Sequence, residues 1–423
     1  MSIEEIKKKA WSIIEDKREV VSLCKEMIKR PSDNPPGDTT ELAQYLKEYI
    51  EKKAGVEVMV YEPREGNPNL VATIEGSSPG PHLVLNGHMD QFPAEVGEPW
   101  TVDPYLGEVI DGKLYGRSGG DMKGGLAGLV YSFCLIGEMG LDLPGKLTLM
   151  AVSDEETGGK WGTKWLLDNM PELLGDACLN AEPTGLTLRI GEKSIVDIIL
   201  EVTGKPAHGS VVGYVGENAI SKMARLIPEV EKLNNIQGKF TDETKKIMDM
   251  TARGFEAMFG AGYPGMSQVL RHVTVNMGVI RGGSKVNIIP GRCEVEVNIR
   301  LPLGVTWDDV DEKLEELIGK DDSVKYRFME DPEVRPPASY TSPEERIAEL
   351  LKVNAREVTG DEPLWSMTAG ATDCRFFRTR GIPSVLFGPK AHKVAAADEY
   401  ITADELITVA KVHTGTIIDY LNN

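Results

Sequence analysis

The spacing of hydrophobic residues changes several times along the chain, and each spacing predicts a different kind of element. Residues 3–29 place apolar side chains at helical intervals, and the segment PSDNPPGD at 31–38 ends that helix. A second helix is predicted from Thr39 to Lys53. The elements that follow are strands at 56–61, 70–74, 82–85 and 147–152 and helices at 124–139 and near 161–170. Their alternation predicts an α/β domain with a mostly parallel or mixed sheet.

The middle of the chain has a different order of elements. Strands at 195–202, 273–280 and 293–300 combine with helices at 217–233 and 307–318, which predicts a smaller α+β domain with one open sheet. A proline-rich linker at 334–338 follows, and the α/β pattern then resumes with a helix at 343–358, a strand at 384–387 and a helix at 403–421. We therefore predict that an α/β domain of residues 1–186 and 334–423 is interrupted by an inserted domain of residues 187–333.

Length and charge agree with this organisation and exclude some functions. A chain of 423 residues is too long for one ordinary core. Its net charge of −19 argues against nucleic acid and anionic membranes as partners, because both require a basic surface. No apolar run approaches the ~20 residues that span a bilayer. The charged N-terminal segment also lacks the apolar stretch of a signal peptide.

The five cysteines are scattered and form no CxxC pair. Neither a disulfide framework nor a cysteine zinc site is therefore expected. Cys134 and Cys293 lie in apolar or strand-like runs that are typical of core positions. A reducing cytoplasm is the compartment that this cysteine usage favours.

Four apolar runs each end in residues of the kinds that bind metals. These residues are His88 and Asp90, then Asp154, Glu155 and Glu156, then Glu182, and finally His392. Ligands of open α/β sheets bind outside the carboxyl ends of the strands, so side chains from four strand ends are expected to meet. Asp121 lies between two glycine pairs in GGDMKGG, where glycine lets the backbone approach an ion closely.

Each of these signals also has an ordinary explanation. The pair His88 and Asp90 could be a polar strand end, and adjacent Glu155 and Glu156 could be a solvated surface pair. Asp121 could cap the following helix. A histidine after a Gly-Pro turn is usually just exposed. Only the joint occurrence of all these residues favours a metal site.

Eight segments together resemble a known superfamily. They are GHMD, GRSGGDMKGG, SDEETGG, AEPT, KPAHGS, GGSKVNIIPGRCEVEVNIR, GATDCRFF and AHKVAAADEY. In this order, from about residue 80 to 400, they resemble the metallopeptidases that include aminoacylase, acetylornithine deacetylase, succinyl-diaminopimelate desuccinylase and bacterial glutamate carboxypeptidase. The resemblance implies a zinc-peptidase-like catalytic domain with an inserted α+β lid domain, through which the chain forms a homodimer.

The resemblance also implies a ligand set for two divalent metal ions. Asp121 bridges both ions, His88 and Glu182 bind one, and Glu156 and His392 bind the other. Imidazole and carboxylate ligands without thiolate suit Zn²⁺, with Co²⁺ and Mn²⁺ as alternatives.

Two further residues have implied catalytic roles in the same resemblance. Asp90 orients His88 and raises its basicity. Glu155 acts as general base and then as general acid towards the leaving nitrogen. The three carboxylate ligands supply a charge of −3 against the charge of +4 on two divalent metal ions. The remaining positive charge would stabilise hydroxide and the oxyanion.

The resemblance implies a second set of residues that contact a small carboxylate substrate. His208 matches a lid histidine that stabilises the oxyanion across a dimer interface, although it could simply lie at a hairpin tip. Asn287 and Arg300 match lid groups that bind substrate, although Arg300 could be an outward strand residue. Gly370, Thr372 and Arg375 match a pocket for the substrate carboxylate, a task that suits the bidentate guanidinium.

The function implied is metal-dependent hydrolysis of an amide bond by an N-acyl amino acid deacylase or a small-peptide carboxypeptidase. One alternative is hydrolysis of another C–N bond, such as a carbamoyl, amino-substituted or aromatic substrate, on the same fold. A non-catalytic binding protein is a second alternative. The segment at 234–272, with Phe255, Phe259, Tyr263 and Met266, is interpreted as a loop on the lid or the dimer interface, or as an apolar wall for a bulky substrate. A serine hydrolase is not indicated, because no GxSxG motif is present.

Overall fold

The fold is described from a computed structural model for residues 2–94, 99–259, 265–319, 321–329, 334–390 and 392–422. The helices are α1 Ile3–Lys17, α2 Glu19–Ile28, α3 Thr40–Ala54, α4 Lys123–Glu138, α5 Thr163–Asn169, α6 Ala219–Val230, α7 Asp242–Phe259, α8 Met266–Arg271, α9 Trp307–Ile318, α10 Arg346–Thr359, α11 Cys374–Arg378 and α12 Ala403–Asn422. The strands are β1 Val58–Tyr61, β2 Asn69–Glu75, β3 His82–His88, β4 Glu108–Ile110, β5 Lys113–Tyr115, β6 Lys146–Val152, β7 Ala177–Asn180, β8 Leu188–Glu192, β9 Ser194–Thr203, β10 Thr274–Gly282, β11 Arg292–Leu301, β12 Val324–Phe328, β13 Ser339–Tyr340, β14 Trp365–Thr368, β15 Ser384–Leu386 and β16 Tyr400–Thr402.

The chain forms two compact units. The first comprises Met1–Gly191, Tyr340–Ser366 and Thr372–Asn423, and the second comprises Glu192–Ser339 and Met367–Ala371. The predicted fold class, an α/β catalytic part with an α+β insertion, is confirmed.

The first unit is built on a mixed sheet, which has nine strands over the described residues. Its order is β1-β2-β6-β3-β7-β15-β8-β13, with β14 paired to β8. Strand β3 is parallel to both β6 and β7, whereas β1, β2 and β6 pair in antiparallel fashion. The central strands β3 and β6 are buried along nearly their whole length, as expected for strands covered on both faces. Helices α2 and α12 pack on α4, and α4 packs on β3.

The second unit contains an antiparallel sheet in the order β10-β11-β9-β12. Buried and half-buried residues alternate along β9 and β11, so one face of the sheet is apolar. Val196, Ile198 and Leu200 of β9 pack with Met223 of α6 and Leu314 of α9 in a single core. This one-sided burial is the pattern that the alternating sequence predicts.

Two predicted elements differ in the structure. The single helix expected at 3–29 is divided at Arg18, whose φ of 50° is left-handed and ends α1. The segment 234–272, interpreted as a loop, is largely helical, because it contains α7 and α8, and Ile247 and Met248 of α7 are buried. The side chains of Phe255, Phe259 and Met266 and all of Tyr263 lie outside the described part of the chain.

Several smaller features complete the architecture. A three-stranded sheet, β16-β5-β4 among the described residues, was not predicted, because each strand has only three residues. All five cysteines are buried and free. No helix in the described ranges combines the length and apolar character that a bilayer crossing requires.

Candidate metal centre

Three predicted ligands converge at the carboxyl edge of the main sheet. His88 ends β3, Glu182 follows β7 by two residues, and Asp121 precedes α4. One ligand atom from each lies within 4.8 Å of the others. His88 Nε2 is 3.4 Å from Asp121 Oδ1 and 3.3 Å from Glu182 Oε1. Because β3 and β7 are parallel neighbours, their carboxyl ends meet at one edge and bring His88 and Glu182 together.

Helix α4 reaches this edge because of a close approach that only glycine permits. A Cβ atom added to Gly125 would lie 1.9 Å from the main-chain oxygen of Ala181, the residue before Glu182. The glycine pair after Asp121 therefore lets α4 pack directly against the end of β7, which holds Asp121 near Glu182.

The electrostatics of this cluster suit a cation. Burial raises the pKa of Glu182 to about 7, with a further contribution from Asp121, and burial raises the pKa of Glu156 well above its usual value. Burial lowers the pKa of His88, but Asp121, Asp90 and Glu182 outweigh it and raise that pKa well above its usual value. His88 Nε2 and Glu156 Oε1 are both buried without a hydrogen-bond partner. Crowded carboxylates and an unpartnered imidazole nitrogen fit divalent metal ions.

Asp90 has an additional contact that the sequence did not indicate. Its carboxylate accepts the backbone N–H of Glu155 at 3.2 Å and that of Glu156 at 3.1 Å. It also accepts a hydrogen bond from Asn34 Nδ2 at 2.8 Å. His88 Nδ1 lies 2.9 Å from the main-chain oxygen of Asp90 and 3.5 Å from its carboxylate. The Asp90 carboxylate therefore holds the Glu155–Glu156 turn more closely than it holds the histidine.

Glu155 lies in a buried, mixed electrostatic environment. Burial raises the pKa of its carboxyl to about 8, while His88 and Arg375 act in the opposite direction. Arg375 Nη1 is 3.7 Å from Glu155 Oε1, and Arg375 Nη2 donates to the main-chain oxygen of Gly158 at 3.0 Å.

The predicted ligands of the second ion are not brought together in the same way. Asp121 and Glu156 are close enough for Asp121 to raise the pKa of Glu156. His392 Nε2 instead lies 3.0 Å from Glu405 Oε1, and its ring stacks on Tyr400 with centroids 4.4 Å apart. Within the described residues, His88, Asp121 and Glu182 form the one group of three that could bind an ion.

The predicted residues of the second unit lie mostly at its surface. His208 is exposed, and its Nδ1 lies 2.8 Å from Ser210 Oγ. Asn287 is also exposed, and its main-chain oxygen accepts a hydrogen bond from the N–H of Gly209. Arg300 is half-buried on β11, where its Nε donates to Asn298 Oδ1 at 2.8 Å.

The remaining predicted pocket residues form local turns. The N–H of Gly370 donates to Thr368 Oγ1 at 3.0 Å, and the N–H of Cys374 donates to Thr372 Oγ1 at 3.3 Å. Their roles in substrate binding stay predictions.

Sequence reasoning missed several residues that support the centre. Asn34 lies in a segment that was interpreted only as a helix stop. Glu399 Oε1 accepts the N–H of Gly120 at 2.9 Å and of Asp121 at 3.4 Å, and Glu399 pairs with Arg117 at 2.6 Å. Asp373 accepts from Thr163 Oγ1 at 2.7 Å. Glu399 and Asp373 lie within matched segments, but their contacts with distant loops have no signature in one sequence.

The first unit is a mixed α/β unit with His, Asp and Glu side chains gathered at the carboxyl edge of its sheet. An antiparallel α+β unit is inserted in its sequence. This combination is that of a class of metal-dependent hydrolases. The chain belongs to Peptidase family M20/M25/M40, whose sequence pattern matches residues 84–419. The predicted superfamily and the predicted metal-dependent hydrolase are thereby confirmed.

Individual relatives agree with this membership. The chain is 28% identical over 409 residues to the succinyl-diaminopimelate desuccinylase of Sulfurovum sp. The alignment covers 94% of this chain and 98% of that protein. Among solved structures, an M20 family metallo-carboxypeptidase from Sulfolobus solfataricus is similar, with a TM-score of 0.80 and 21% identity. The superposition covers 95% of this chain and 99% of that chain. Human carnosine dipeptidase 1 has a TM-score of 0.76 and 17% identity, over 99% of this chain and 100% of that chain. These structures share the fold.

Proposed function

We propose that this chain hydrolyses an amide bond in a small carboxylate-bearing substrate, with Glu155 as general base. Two divalent ions, zinc by preference, would be held there: His88 and Glu182 would hold one, Glu156 and His392 would hold the other, and Asp121 would be shared between them. The observation that carries the proposal is the cluster of buried His88 and Glu182 with half-buried Asp121, in which His88 Nε2 has no hydrogen-bond partner.

The mechanism follows from what each side chain is positioned to do. Divalent ions held by these residues would make the attacking water more acidic and would polarise the substrate carbonyl. Glu155 accepts the proton of the attacking water at a carboxylate oxygen and then delivers it to the leaving nitrogen. Asp90 fixes the Glu155–Glu156 turn through two backbone N–H groups. Burial of Glu155 keeps bulk water away from that proton.

The substrate class is proposed from the chemistry that the similar proteins share. Their names describe a desuccinylase, a carboxypeptidase and a dipeptidase, and all three activities cleave amides of carboxylate-bearing molecules. We extend that chemistry to this chain. His208, Asn287 and Arg300 of the second unit are the proposed substrate-binding groups, together with Gly370 and Thr372.

Chelation of the metal is expected to lower turnover by at least about 10²-fold, because the ions supply several kcal/mol of transition-state stabilisation. The assay uses N-succinyl and N-acetyl amino acids and dipeptides, with amine release and ammonia release followed separately. Zn²⁺, Co²⁺ or Mn²⁺ should restore activity, with two ions bound per chain. Failure of all three ions to restore turnover would contradict the proposal. Ammonia as the product would favour hydrolysis of another C–N bond.

We also propose a homodimer formed through the second unit. Strand β10 is an edge of its sheet and is largely exposed, and its residues Val279 and Ile280 are exposed, Ile280 to 57%. An exposed apolar edge strand is suited to pairing with another chain.

A cytoplasmic location is also proposed for this protein. It is supported by the five free, buried cysteines.

Replacing Ile280 with lysine is expected to convert the dimer to a monomer, because a charge would be buried where two edges meet. Light scattering coupled to gel filtration measures the mass. Val60→Lys is the matched control, since Val60 is 45% exposed on β1 at the edge of the other sheet. A wild-type protein that is already monomeric, or an Ile280→Lys dimer, would exclude this interface.

A further inference from the structure

The side chain of Arg375 is enclosed by the loop that carries Glu155. Only 8% of the side chain is exposed, and its Nε is buried without a hydrogen-bond partner. Arg375 Nη2 donates a hydrogen bond to the Gly158 oxygen at 3.0 Å, and Arg375 Nη1 lies 3.7 Å from Glu155 Oε1. The guanidinium also lies over the ring of Phe376, 4.8 Å from its centroid. Both terminal nitrogens of the guanidinium therefore face the Glu155 loop, and Nε is buried.

Asp373, two residues earlier, contacts the same loop. One carboxylate oxygen accepts from Thr163 Oγ1 at 2.7 Å. The other lies against Gly159, where an added Cβ atom would be 2.8 Å from it and where φ is +69°. The segment around α11 thus contacts the Glu155 loop at Gly158 and Gly159, and the start of α5 at Thr163. Asp90 holds the start of the same loop through the N–H groups of Glu155 and Glu156.

This arrangement differs from what substrate binding requires. A guanidinium that binds a carboxylate in bidentate fashion presents two adjacent N–H groups towards the ligand. In Arg375, only 8% of the side chain is exposed, Nη2 donates to the Gly158 oxygen and Nη1 faces Glu155. The loop contacts instead fix both the main chain and the carboxylate that are needed for proton transfer.

We propose that Arg375 is a positioning residue that holds the Glu155 carboxylate in its working orientation, and that it does not bind the substrate carboxylate. This inference rests on the proposed role of Glu155. It replaces the role that the family resemblance implied for Arg375, and it leaves carboxylate binding to other groups.

The test compares Arg375→Lys and Arg375→Gln with the wild type on two substrates. The first is the best acid from the substrate screen, and the second is the same molecule with its carboxylate converted to a carboxamide. A mispositioned base should lower kcat by about 10- to 10²-fold while KM changes less than about threefold. The loss should be equal for the acid and the carboxamide. A carboxylate ligand would instead raise KM for the acid alone.

These measurements separate positioning from loss of folded protein. KM and the ratio between two substrates do not depend on the fraction of active enzyme. Arg380→Gln is the matched control, because Arg380 donates to the Phe376 oxygen at 2.8 Å and pairs with Asp168, with no contact to Glu155 among the described interactions. It should leave both substrates unchanged. In a Glu155→Gln background, Arg375→Gln should cause no further loss in kcat.

The possible failures are distinguishable. If the metal-loaded wild type cleaves nothing in the screen, both the proposed function and this inference are overturned. If Glu155→Gln abolishes turnover but Arg375→Gln raises only KM for the acid, this inference alone is overturned. Independent, additive effects of Arg375→Gln and Glu155→Gln on kcat would also overturn it.

Discussion

Replacing Glu155 with glutamine is expected to lower kcat by about 10²–10⁴-fold, because the amide cannot accept or deliver the proton. Glutamine has nearly the same shape, and the backbone N–H of residue 155 can still donate to Asp90. Fold and metal content should therefore stay at wild-type levels. Steady-state kinetics at saturating metal, elemental analysis and thermal unfolding measure the three quantities on the same preparation.

Glu156→Gln is the control for this prediction, since the two residues are adjacent but have different proposed roles. Loss of a metal-binding carboxylate should reduce the number of ions bound, and added metal should recover part of the activity. Added metal should not rescue Glu155→Gln. A Glu155→Gln protein that retains more than a tenth of wild-type kcat would show that another group transfers the proton.

The sequence was sufficient to predict how His88 and Glu182 meet. Each follows a short, mainly apolar run, and such runs predict buried strands whose polar ends share one edge of a sheet. The glycine pairs around Asp121 were interpreted as allowing the backbone to approach an ion, whereas Gly125 serves a close approach of α4 to the Ala181 oxygen. These signals are local, because each depends on a residue and its immediate neighbours.

Contacts between distant segments could not be predicted in this way. Asn34 and Asp90 are 56 positions apart, and Glu399 and Gly120 are 279 positions apart. Nothing in the period or composition of either segment encodes its partner. The left-handed backbone of Arg18 is similar, because arginine has no preference for that conformation.

The segment 234–272 was interpreted as a loop for a related reason. Its glycines and mixed polarity interrupt a regular apolar spacing. The structure nevertheless forms α7, since Ile247 and Met248 bury one face and Thr251 Oγ1 donates to the Ile247 oxygen at 2.8 Å. Tertiary packing therefore decides this element, as it often does where local propensity is weak.

Replacing Glu399 with glutamine is expected to destabilise the protein by about 3–5 kcal/mol, because the change leaves the Arg117 charge buried without its counter-ion. Both side chains of this ion pair are only 1% exposed, and their atoms are 2.6 Å apart. Glu399 also accepts the N–H of Gly120 and of Asp121, so the metal-binding loop should loosen as well. Urea unfolding of the metal-free protein measures stability, and calorimetric titration with Zn²⁺ measures affinity.

The two halves of this ion pair should not be equivalent. Burial raises the pKa of Glu399 to about 7, so this carboxyl can take up a proton once its partner is removed. Arginine cannot lose its charge in a protein. Arg117→Met should therefore destabilise less than Glu399→Gln, and the double variant should recover part of the loss. The exposed pair of Lys146 and Glu75 is the control, where Glu75→Gln should cost at most about 1 kcal/mol. Equal losses for Glu399→Gln and Glu75→Gln would show that the buried pair does not hold the Asp121 loop.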